Sequence, residues 1–245
     1  MDFKADYEWE WYVGQLFSEL IIKSNLKNIN TVVELAPGFR FKIALALKNI
    51  NFNGTLYIID SSKEVLNYTK EKYLEFIPNA TIITINETFH NSIDIIPNNI
   101  DLFLSNHPID DLMIFNYIES YQNNINIKNK IIDDWNLFLI DSNKIKIQND
   151  IISDFLKLFQ TKNIKKIIIS QYKSNIYLNE INNKIYDSIM YCFNNIKKIT
   201  NTNDDFVNKT LNFYPFGEND ERYNYKELLD NMQNAKHWIV GDING

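Results

Sequence analysis

Acidic and polar residues follow four short apolar segments in the first half of the chain. Glu34 lies near the end of the first segment, Asp60 and Glu87 follow the second and third, and Asn106 comes at the end of the fourth. Carboxylate and amide side chains can bind the hydroxyl and amino groups of a small polar ligand. The spacing therefore predicts one binding site assembled from four separate segments.

These residues must be positioned by elements that alternate between strand and helix patterns. Short β-branched runs predict strands at four places, residues 31–35, 55–60, 80–85 and 100–105. An amphipathic helix over about residues 7–24, with Asp6 as its N-cap, is predicted to precede them. This alternation predicts a doubly wound, mostly parallel α/β sheet with right-handed crossovers. The ligand crevice of such a sheet lies outside the carboxyl ends of its strands, where the polar residues fall.

The second half of the chain continues this alternation after an interruption. The next predicted strand, over residues 164–171, begins roughly sixty residues after the fourth, whereas a crossover connection needs only about a dozen. The intervening segment is therefore predicted to hold an inserted helical cap over the substrate. Further helices are expected over residues 149–159 and 176–193, and further strands over 197–200 and 210–216.

A chain of 245 residues is long enough for one large α/β domain. The N-terminal helix is expected to cover the site, and the cap to separate two halves of the sheet. The predicted divisions are a helical lid over residues 1–30, a cofactor-binding half over 31–107, the substrate cap over 108–163 and the C-terminal half of the sheet over 164–245.

Composition excludes several classes of function. The net charge of -6 and the presence of only two arginines, Arg40 and Arg222, disfavour a surface that binds nucleic acid. Phosphate binding needs a basic face, and the forked guanidinium group of arginine is the side chain preferred for it. No run of about 18 apolar residues is available to cross a bilayer, and the acidic, aromatic N-terminus is unlike a secretion signal. The single cysteine, Cys192, permits no internal disulfide. We therefore expect a cytoplasmic protein without nucleic-acid or membrane partners.

The loop after the first predicted strand is the most informative segment. Glu34 precedes the last strand residue, and Ala36-Pro37-Gly38 turns the chain into a helix. A small residue and a glycine there let the backbone approach a ligand closely. The pattern resembles the first motif of the class I S-adenosylmethionine-dependent methyltransferases, an acid, an apolar residue and then alternating glycines. Arg40 stands where that family has a third glycine, and its side chain would face solvent or the carboxylate of the ligand.

The position of Asp60 supports the same resemblance. It ends the second strand, twenty-six residues after Glu34, where an acid can accept hydrogen bonds from both hydroxyls of a ribose, with Ser61 beside it. The same geometry serves NAD, but a dinucleotide needs the amide donors that a G-x-G-x-x-G run offers its pyrophosphate, and the chain has no such run. S-adenosylmethionine has no phosphate and is therefore the expected cofactor, with Glu34 beside its positive end.

Two further strand ends match the family more loosely. Asn86-Glu87-Thr88 closes the third strand, where the family commonly holds the adenine. Residues 101–108 resemble the family's fourth motif, which begins with an acid on the strand and ends beside the reactive methyl group. The resemblance therefore implies cofactor contacts from Asn86, Glu87, Thr88 and Ser105.

Asn106 and His107 are the candidate catalytic residues. In amino-methylating members the fourth motif often reads Asn or Asp, two prolines and an aromatic residue, whereas here His107 replaces the first proline and Ile109 the aromatic ring. Methylation of a DNA base is therefore not expected. Imidazole titrates near neutral pH, so His107 is the candidate general base. Methyl transfer can also proceed by alignment alone, in which case His107 would only position the acceptor.

Substrate contacts are predicted from Asp110, Asp111 and Tyr12. The two acids follow a proline that can begin a helix, so they either complement the helix dipole or hold a cationic amine as acceptor. Tyr12 either belongs to an aromatic lid over the ligand or anchors the first helix to the core. No metal ligands are predicted, because His90 and His237 have no companion residues at metal-binding spacing.

The resemblance implies an enzyme that transfers a methyl group from S-adenosylmethionine to a nitrogen or oxygen of a small molecule. Three alternatives stay open: transfer of an aminopropyl or aminobutanoyl group from the same donor, an NAD(P)-dependent oxidoreductase, and a non-catalytic scaffold whose pocket is plugged by Phe39 or Arg40. The identity of the acceptor and the oligomeric state are not predicted.

Overall fold

Seven β-strands and eight α-helices make up the described part of the chain, residues 3–121, 144–172, 180–211 and 232–243 of a computed structural model. The strands are β1 Thr31–Leu35, β2 Thr55–Ile59, β3 Thr81–Ile85, β4 Asn99–Asn106, β5 Asn163–Ser170, β6 Asn201–Thr202 and β7 Trp238–Asp242. The helices are α1 Phe3–Lys23, α2 Lys42–Asn49, α3 Lys63–Phe76, α4 Phe89–Ile95, α5 Pro108–Tyr121, α6 Lys144–Thr161, α7 Glu180–Lys198 and α8 Asp204–Leu211.

All seven strands form one sheet in the order β3-β2-β1-β4-β5-β7-β6. Strands β1 to β5 run parallel to one another, whereas β7 runs antiparallel to both β5 and β6. The predicted doubly wound, mostly parallel sheet is therefore confirmed. The strand order reverses between β1 and β4, and such a switch point opens a crevice at the carboxyl ends of the two strands.

Helices cover both faces of the sheet. Successive residues of a strand point to opposite faces, and in β1 Val32 packs with α1, α2 and α3 while Val33 packs with α4, α5, α6 and α7. Helix α1 is predominantly a core element, because Val13, Leu16 and Phe17 are completely buried against the first face. The predicted lid therefore also forms part of the hydrophobic core.

Several predicted element boundaries are wrong. Asp6 lies inside α1 instead of capping it, because that helix begins at Phe3. Of the predicted strand over residues 197–200, Lys197 and Lys198 belong to α7, and the strand follows at β6. Of the predicted strand over residues 210–216, the described residues end α8.

The region predicted as the inserted cap contains two described helices, α5 and α6. Both pack into the second face, where Met113 and Phe155 are completely buried. They therefore provide the helical layer between β4 and β5. The remainder of the predicted cap, residues 122–143, lies outside the described residues, as do residues 176–179 and 212–216 of the other predicted elements.

Gly14 sets the close approach of α1 to α2. A Cβ atom at this position would lie 2.8 Å from the Cβ of Leu45 and 2.9 Å from the carbonyl oxygen of Lys42. We expect Gly14→Ala to lower the free energy of unfolding by about 1–2 kcal/mol, because overpacking outweighs the better helix propensity of alanine. Urea unfolding measures this change, and a variant as stable as the parent would contradict the close contact.

Candidate active site at the carboxyl edge of the sheet

Glu34 lies near the carboxyl end of the central strand β1, and its side chain is only 2% exposed. Its Oε1 atom accepts a 2.8 Å hydrogen bond from the Tyr73 hydroxyl on α3, whereas Oε2 has no hydrogen-bond partner within the described ranges. Burial raises the pKa of Glu34 to about 8, opposed by the Tyr73 hydrogen bond and reinforced by the carboxylates of Asp60 and Glu10. Glu34 therefore carries a proton at neutral pH and keeps one oxygen for a further partner.

Asp60 ties the loop after β1 to the end of β2. Its carboxylate accepts the backbone N–H of Ser62 at 2.8 Å and that of Gly38. Gly38 has a φ of +58°, and a Cβ atom there would meet no atom within 4 Å. Burial raises the pKa of Asp60, while the two N–H groups oppose the rise. The loop is therefore open at the residue for which the sequence predicts close approach to a ligand.

The residues that follow β1 and β4 share a left-handed backbone conformation. Ala36 has a φ of 51° and His107 a φ of 61°, and this region costs a non-glycine residue about 1–2 kcal/mol. The Ser105 hydroxyl donates to the Leu35 carbonyl at 2.6 Å and ties the two strand ends together. Backbone strain concentrates at functional sites, and here it lies on both sides of the switch point.

The strain at Ala36 gives a testable expectation. We expect Ala36→Gly to raise the free energy of unfolding by about 1 kcal/mol, because glycine adopts a positive φ without the Cβ clash. The matched change Ala46→Gly inside α2 should lower it by about 1 kcal/mol or more. Urea unfolding of both variants measures the difference, and equal losses would contradict strain at Ala36.

Asn86 braces the loop that carries Asp60. Its side-chain amide donates to the carbonyl oxygens of Asp60 at 3.2 Å and Ser61 at 2.8 Å. The structure therefore brings these three predicted cofactor contacts together at the ends of β2 and β3.

Glu87 and Thr88 organise the start of α4. The Thr88 hydroxyl accepts the backbone N–H of Asn91 at 3.3 Å, which caps the helix. The Glu87 carboxylate accepts from the Asn91 amide at 3.2 Å. Both residues therefore have local partners on α4, next to the Asn86 side chain that bonds the loop carrying Asp60.

Asn106 belongs to a polar cluster that links β4, β5 and α2. Its Oδ1 atom accepts the Ser170 hydroxyl at 3.0 Å, and its amide hydrogen-bonds the hydroxyl of Tyr172. The Lys42 ammonium donates to the same hydroxyl at 3.1 Å. Burial would raise the pKa of Tyr172, but Lys42, His107 and Asn106 together hold it below its usual value. Asn106 is therefore fixed in place before any acceptor arrives.

Both ring nitrogens of His107 have acceptors. Nδ1 lies 2.8 Å from the Asp110 carboxylate, and Nε2 lies 2.7 Å from the carbonyl oxygen of Tyr172. Burial would lower the pKa of His107, but Asp110 and Tyr172 raise it to about 9. The ring is therefore an imidazolium at neutral pH and has no lone pair with which to accept a proton. Of the two predicted roles of His107, this geometry favours positioning over general-base catalysis.

Asp110 and Asp111 differ in their surroundings. Asp110 pairs with His107 and accepts the Gln171 amide at 3.3 Å, so its charge is compensated. Asp111 is exposed to solvent, yet surrounding protein, with Asp110 and Asp60 nearby, raises its pKa to about 7. Asp111 is therefore the acid of this pair that solvent reaches.

A second charged cluster connects α1 to the start of α2. The buried Glu10 carboxylate accepts the backbone N–H of Phe41 at 2.8 Å and lies 3.8 Å from the Lys42 ammonium and 3.5 Å from the Arg40 guanidinium. Tyr12, two residues further along α1, is buried, and Gln233 donates to its hydroxyl at 3.4 Å. The predicted substrate contact from Tyr12 would therefore come from a core-packed ring.

Sequence reasoning missed Glu10, Lys42, Tyr73, Gln171 and Tyr172. Gln171 and Tyr172 directly follow β5, so the rule that located Asp60 and Asn106 also identifies them. The other three come from helices that pack on the sheet from the first face. These three residues reach the site only through the tertiary packing of their helices. No local sequence pattern predicts that packing.

The other two histidines lie apart from any metal cluster. His90 on α4 pairs with Asp154 at 2.6 Å, and His237 donates from Nδ1 to the Gln171 carbonyl at 3.0 Å, with burial lowering its pKa to about 4. Across the described residues, no three His, Cys, Asp or Glu side chains are placed to hold a metal ion. In the same part of the chain, no helix combines the length and apolarity needed to cross a membrane.

No protein-family profile matches the chain, and no curated protein matches it. Among solved structures, it is similar to residues 961-1257 of StiE O-MT, with 11% identity and a TM-score of 0.45 over 92% of this chain and 71% of that one. It is also similar to a SAM-dependent methyltransferase from Aquifex aeolicus, with 16% identity and a TM-score of 0.42 over 73% of this chain and 78% of that one.

A third similar structure is WbdD, with 10% identity and a TM-score of 0.43 over 71% of this chain. The chain spans only 31% of WbdD, which another structure describes as a bifunctional kinase-methyltransferase. At such low identities each likeness concerns the fold alone, a doubly wound α/β sheet.

Proposed function

We propose that this protein is an S-adenosylmethionine-dependent transferase that methylates a nitrogen or oxygen of a small molecule. The observation that carries the proposal is the pair of acids at adjacent strand ends, Glu34 with its unpartnered oxygen and Asp60 with its carboxylate against the open Gly38 loop. The arrangement offers acceptors for a cation and for ribose hydroxyls around one loop.

The residues present fit the donor. Asp60 would accept hydrogen bonds from the ribose hydroxyls, with Ser61 and the Asn86 brace beside it, and Glu34 would lie near the positive charge. Bound S-adenosylmethionine supplies an electrophilic methyl group on a sulfonium. The chain's own contribution is then alignment of the acceptor and exclusion of water, which methyl transfer chiefly needs.

The same site disfavours a dinucleotide. A pyrophosphate binds at a helix N-terminus through free backbone N–H groups. Here the N–H of Phe41, the N-cap of α2, already donates to Glu10 and is not free for a phosphate. This observation favours S-adenosylmethionine over NAD(P) and weakens the oxidoreductase alternative.

The scaffold alternative expects side chains that plug the crevice. Phe39 is 51% exposed and its ring packs edge-on against Tyr68 of α3. The side chain of Arg40 is also 51% exposed and pairs with Glu10. Neither side chain is enclosed at the edge of the sheet. These two residues therefore give no support to a filled crevice, which the scaffold alternative requires.

The acceptor would enter beside the ends of β4 and β5. Asn106 accepts a hydrogen bond from Ser170, and His107 pairs with Asp110, so these side chains would position the acceptor as a rigid wall. The exposed Asp111 would favour a cationic amine. In this proposal residues 1–30 cover the site as a lid, residues 108–163 contribute a cap, and the protein works in the cytoplasm.

Product mass tests the reaction. We would incubate the protein with S-adenosylmethionine that carries a trideuterated methyl group and a panel of small amines and alcohols. A mass increase that corresponds to one trideuteromethyl group supports methyl transfer, whereas an aminopropyl or aminobutanoyl increase would replace it with the alternative transfer. The Asp60→Ala variant serves as the control for uncatalysed methylation.

A further inference from the structure

We propose that Glu34 distinguishes the cationic donor from its product by releasing a proton to solvent when the sulfonium charge binds. The inference rests on the proposed function, because it requires the donor to bind beside β1. It assigns Glu34 a role in selecting the charge state of the ligand, in addition to contacting it.

The surroundings of Glu34 favour an uncharged carboxyl in the free protein. Three titratable groups face it from three elements: Glu10 on α1, Asp60 after β2 and Tyr73 on α3. Two of them are carboxylates, and only the Tyr73 hydroxyl donates a hydrogen bond. On α2, the Lys42 ammonium donates to Tyr172 and lies beside Glu10.

The second feature is the Oε2 atom of Glu34, which has no hydrogen-bond partner among the residues that the structure describes. A buried polar atom without a hydrogen bond costs free energy, and a buried carboxylate without a cation costs more. Glu34 is 2% exposed, so water cannot screen it. A neutral carboxyl avoids the larger cost as long as no positive charge lies beside it. A bound cation reverses this preference and favours the ionised form.

Linkage fixes the direction of the pH dependence. When binding releases one proton, affinity rises about tenfold per pH unit below the pKa of the free group and levels off above it. The pKa of free Glu34 is about 8, so the rise covers the neutral range. The product S-adenosylhomocysteine lacks the sulfonium charge, so its affinity should rise much less. At neutral pH, reprotonation of Glu34 then favours product release.

Asp111 is a competing source of released protons. It is exposed in the first turn of α5, with a pKa of about 7, and a cation near it would likewise favour ionisation. A test must therefore separate the two acids. Glu34→Gln removes one titration and retains a side chain that can accept the Tyr73 hydrogen bond, and Asp111→Asn is the matched control.

The experiment is isothermal titration of the full chain with S-adenosylmethionine and with S-adenosylhomocysteine, in two buffers of different ionisation enthalpy. The difference in heat between the buffers gives the number of protons released. Near neutral pH we expect about one more proton to be released by the donor than by the product. Glu34→Gln should abolish this difference and flatten the pH dependence, whereas Asp111→Asn should retain both.

Two results would overturn the inference alone: equal proton release by both ligands, or a difference that survives Glu34→Gln and disappears in Asp111→Asn. If the Gln variant binds neither ligand, the Asp111→Asn variant decides, because a difference between the ligands that this variant retains cannot come from Asp111. If the folded parent binds neither ligand, the proposed function fails, and this inference fails with it.

Discussion

Asp60→Ala is expected to lower the affinity for S-adenosylmethionine by about a hundredfold or more. Hydrogen bonds to a charged acceptor contribute about 1.5–3 kcal/mol each, and about 1.4 kcal/mol corresponds to a tenfold change. Alanine removes the acceptor for both ribose hydroxyls. It also removes the carboxylate that accepts the N–H groups of Ser62 and Gly38. This contact holds the loop after β1 against the end of β2. Isothermal titration measures the affinity, and circular dichroism checks the fold.

Asp101→Ala is the matched control for this variant. Asp101 lies on β4 at the opposite edge of the sheet, where it accepts the backbone N–H groups of Asn30 and Thr31 and pairs with Lys165. Its loss should reduce stability by about 1–3 kcal/mol without changing donor affinity. Unchanged affinity in a folded Asp60→Ala protein would refute the ribose assignment.

His107→Asn is expected to lower the free energy of unfolding by about 3 kcal/mol near neutral pH. The substitution removes the cation that compensates the largely buried Asp110 carboxylate, and breaking a buried pair costs about 3–5 kcal/mol. Asparagine tolerates the positive φ of this position, so backbone strain does not obscure the loss of charge. Urea unfolding measures the change.

The pH dependence of stability gives this prediction a second readout. His107 has a pKa of about 9 in the folded protein against an ordinary value of 6.5, so the pair stabilises fully below pH 6.5 and loses that contribution as the pH rises towards 9. The loss amounts to at most about 3 kcal/mol. Glu34 titrates in part of the same range, so the parent must be compared with the variant.

A double variant completes the cycle. His107→Asn combined with Asp110→Asn removes both charges and should recover most of the lost stability, because no uncompensated carboxylate remains. If His107→Asn keeps the stability and the pH dependence of the parent, then the imidazolium is absent. A general-base role for His107 would then become the better explanation.

The strand ends could be predicted because their signals are local. Apolar β-branched runs bounded by polar residues located β1 to β5 within one or two residues, and the parallel order then required Glu34, Asp60, Asn86 and Asn106 to meet at one edge.

The remaining features depend on contacts between distant segments. Strand β7 pairs antiparallel between β5 and β6, so its residues depend on a tertiary pairing that no local pattern encodes. The Glu10 carboxylate reaches Phe41 only because α1 packs closely on α2 at Gly14. The state of His107 follows from its positive φ and from two acceptors, one of which lies after β5.

Isothermal titration of the purified protein with S-adenosylmethionine, and with NADH as the control ligand, tests the central claim most directly. The acids at the ends of β1 and β2, together with the Phe41 N–H that Glu10 occupies at the start of α2, predict micromolar binding of S-adenosylmethionine and no binding of NADH. Binding of NADH alone, or of neither ligand by a folded protein, would contradict the assignment of this site to an S-adenosylmethionine-dependent transferase.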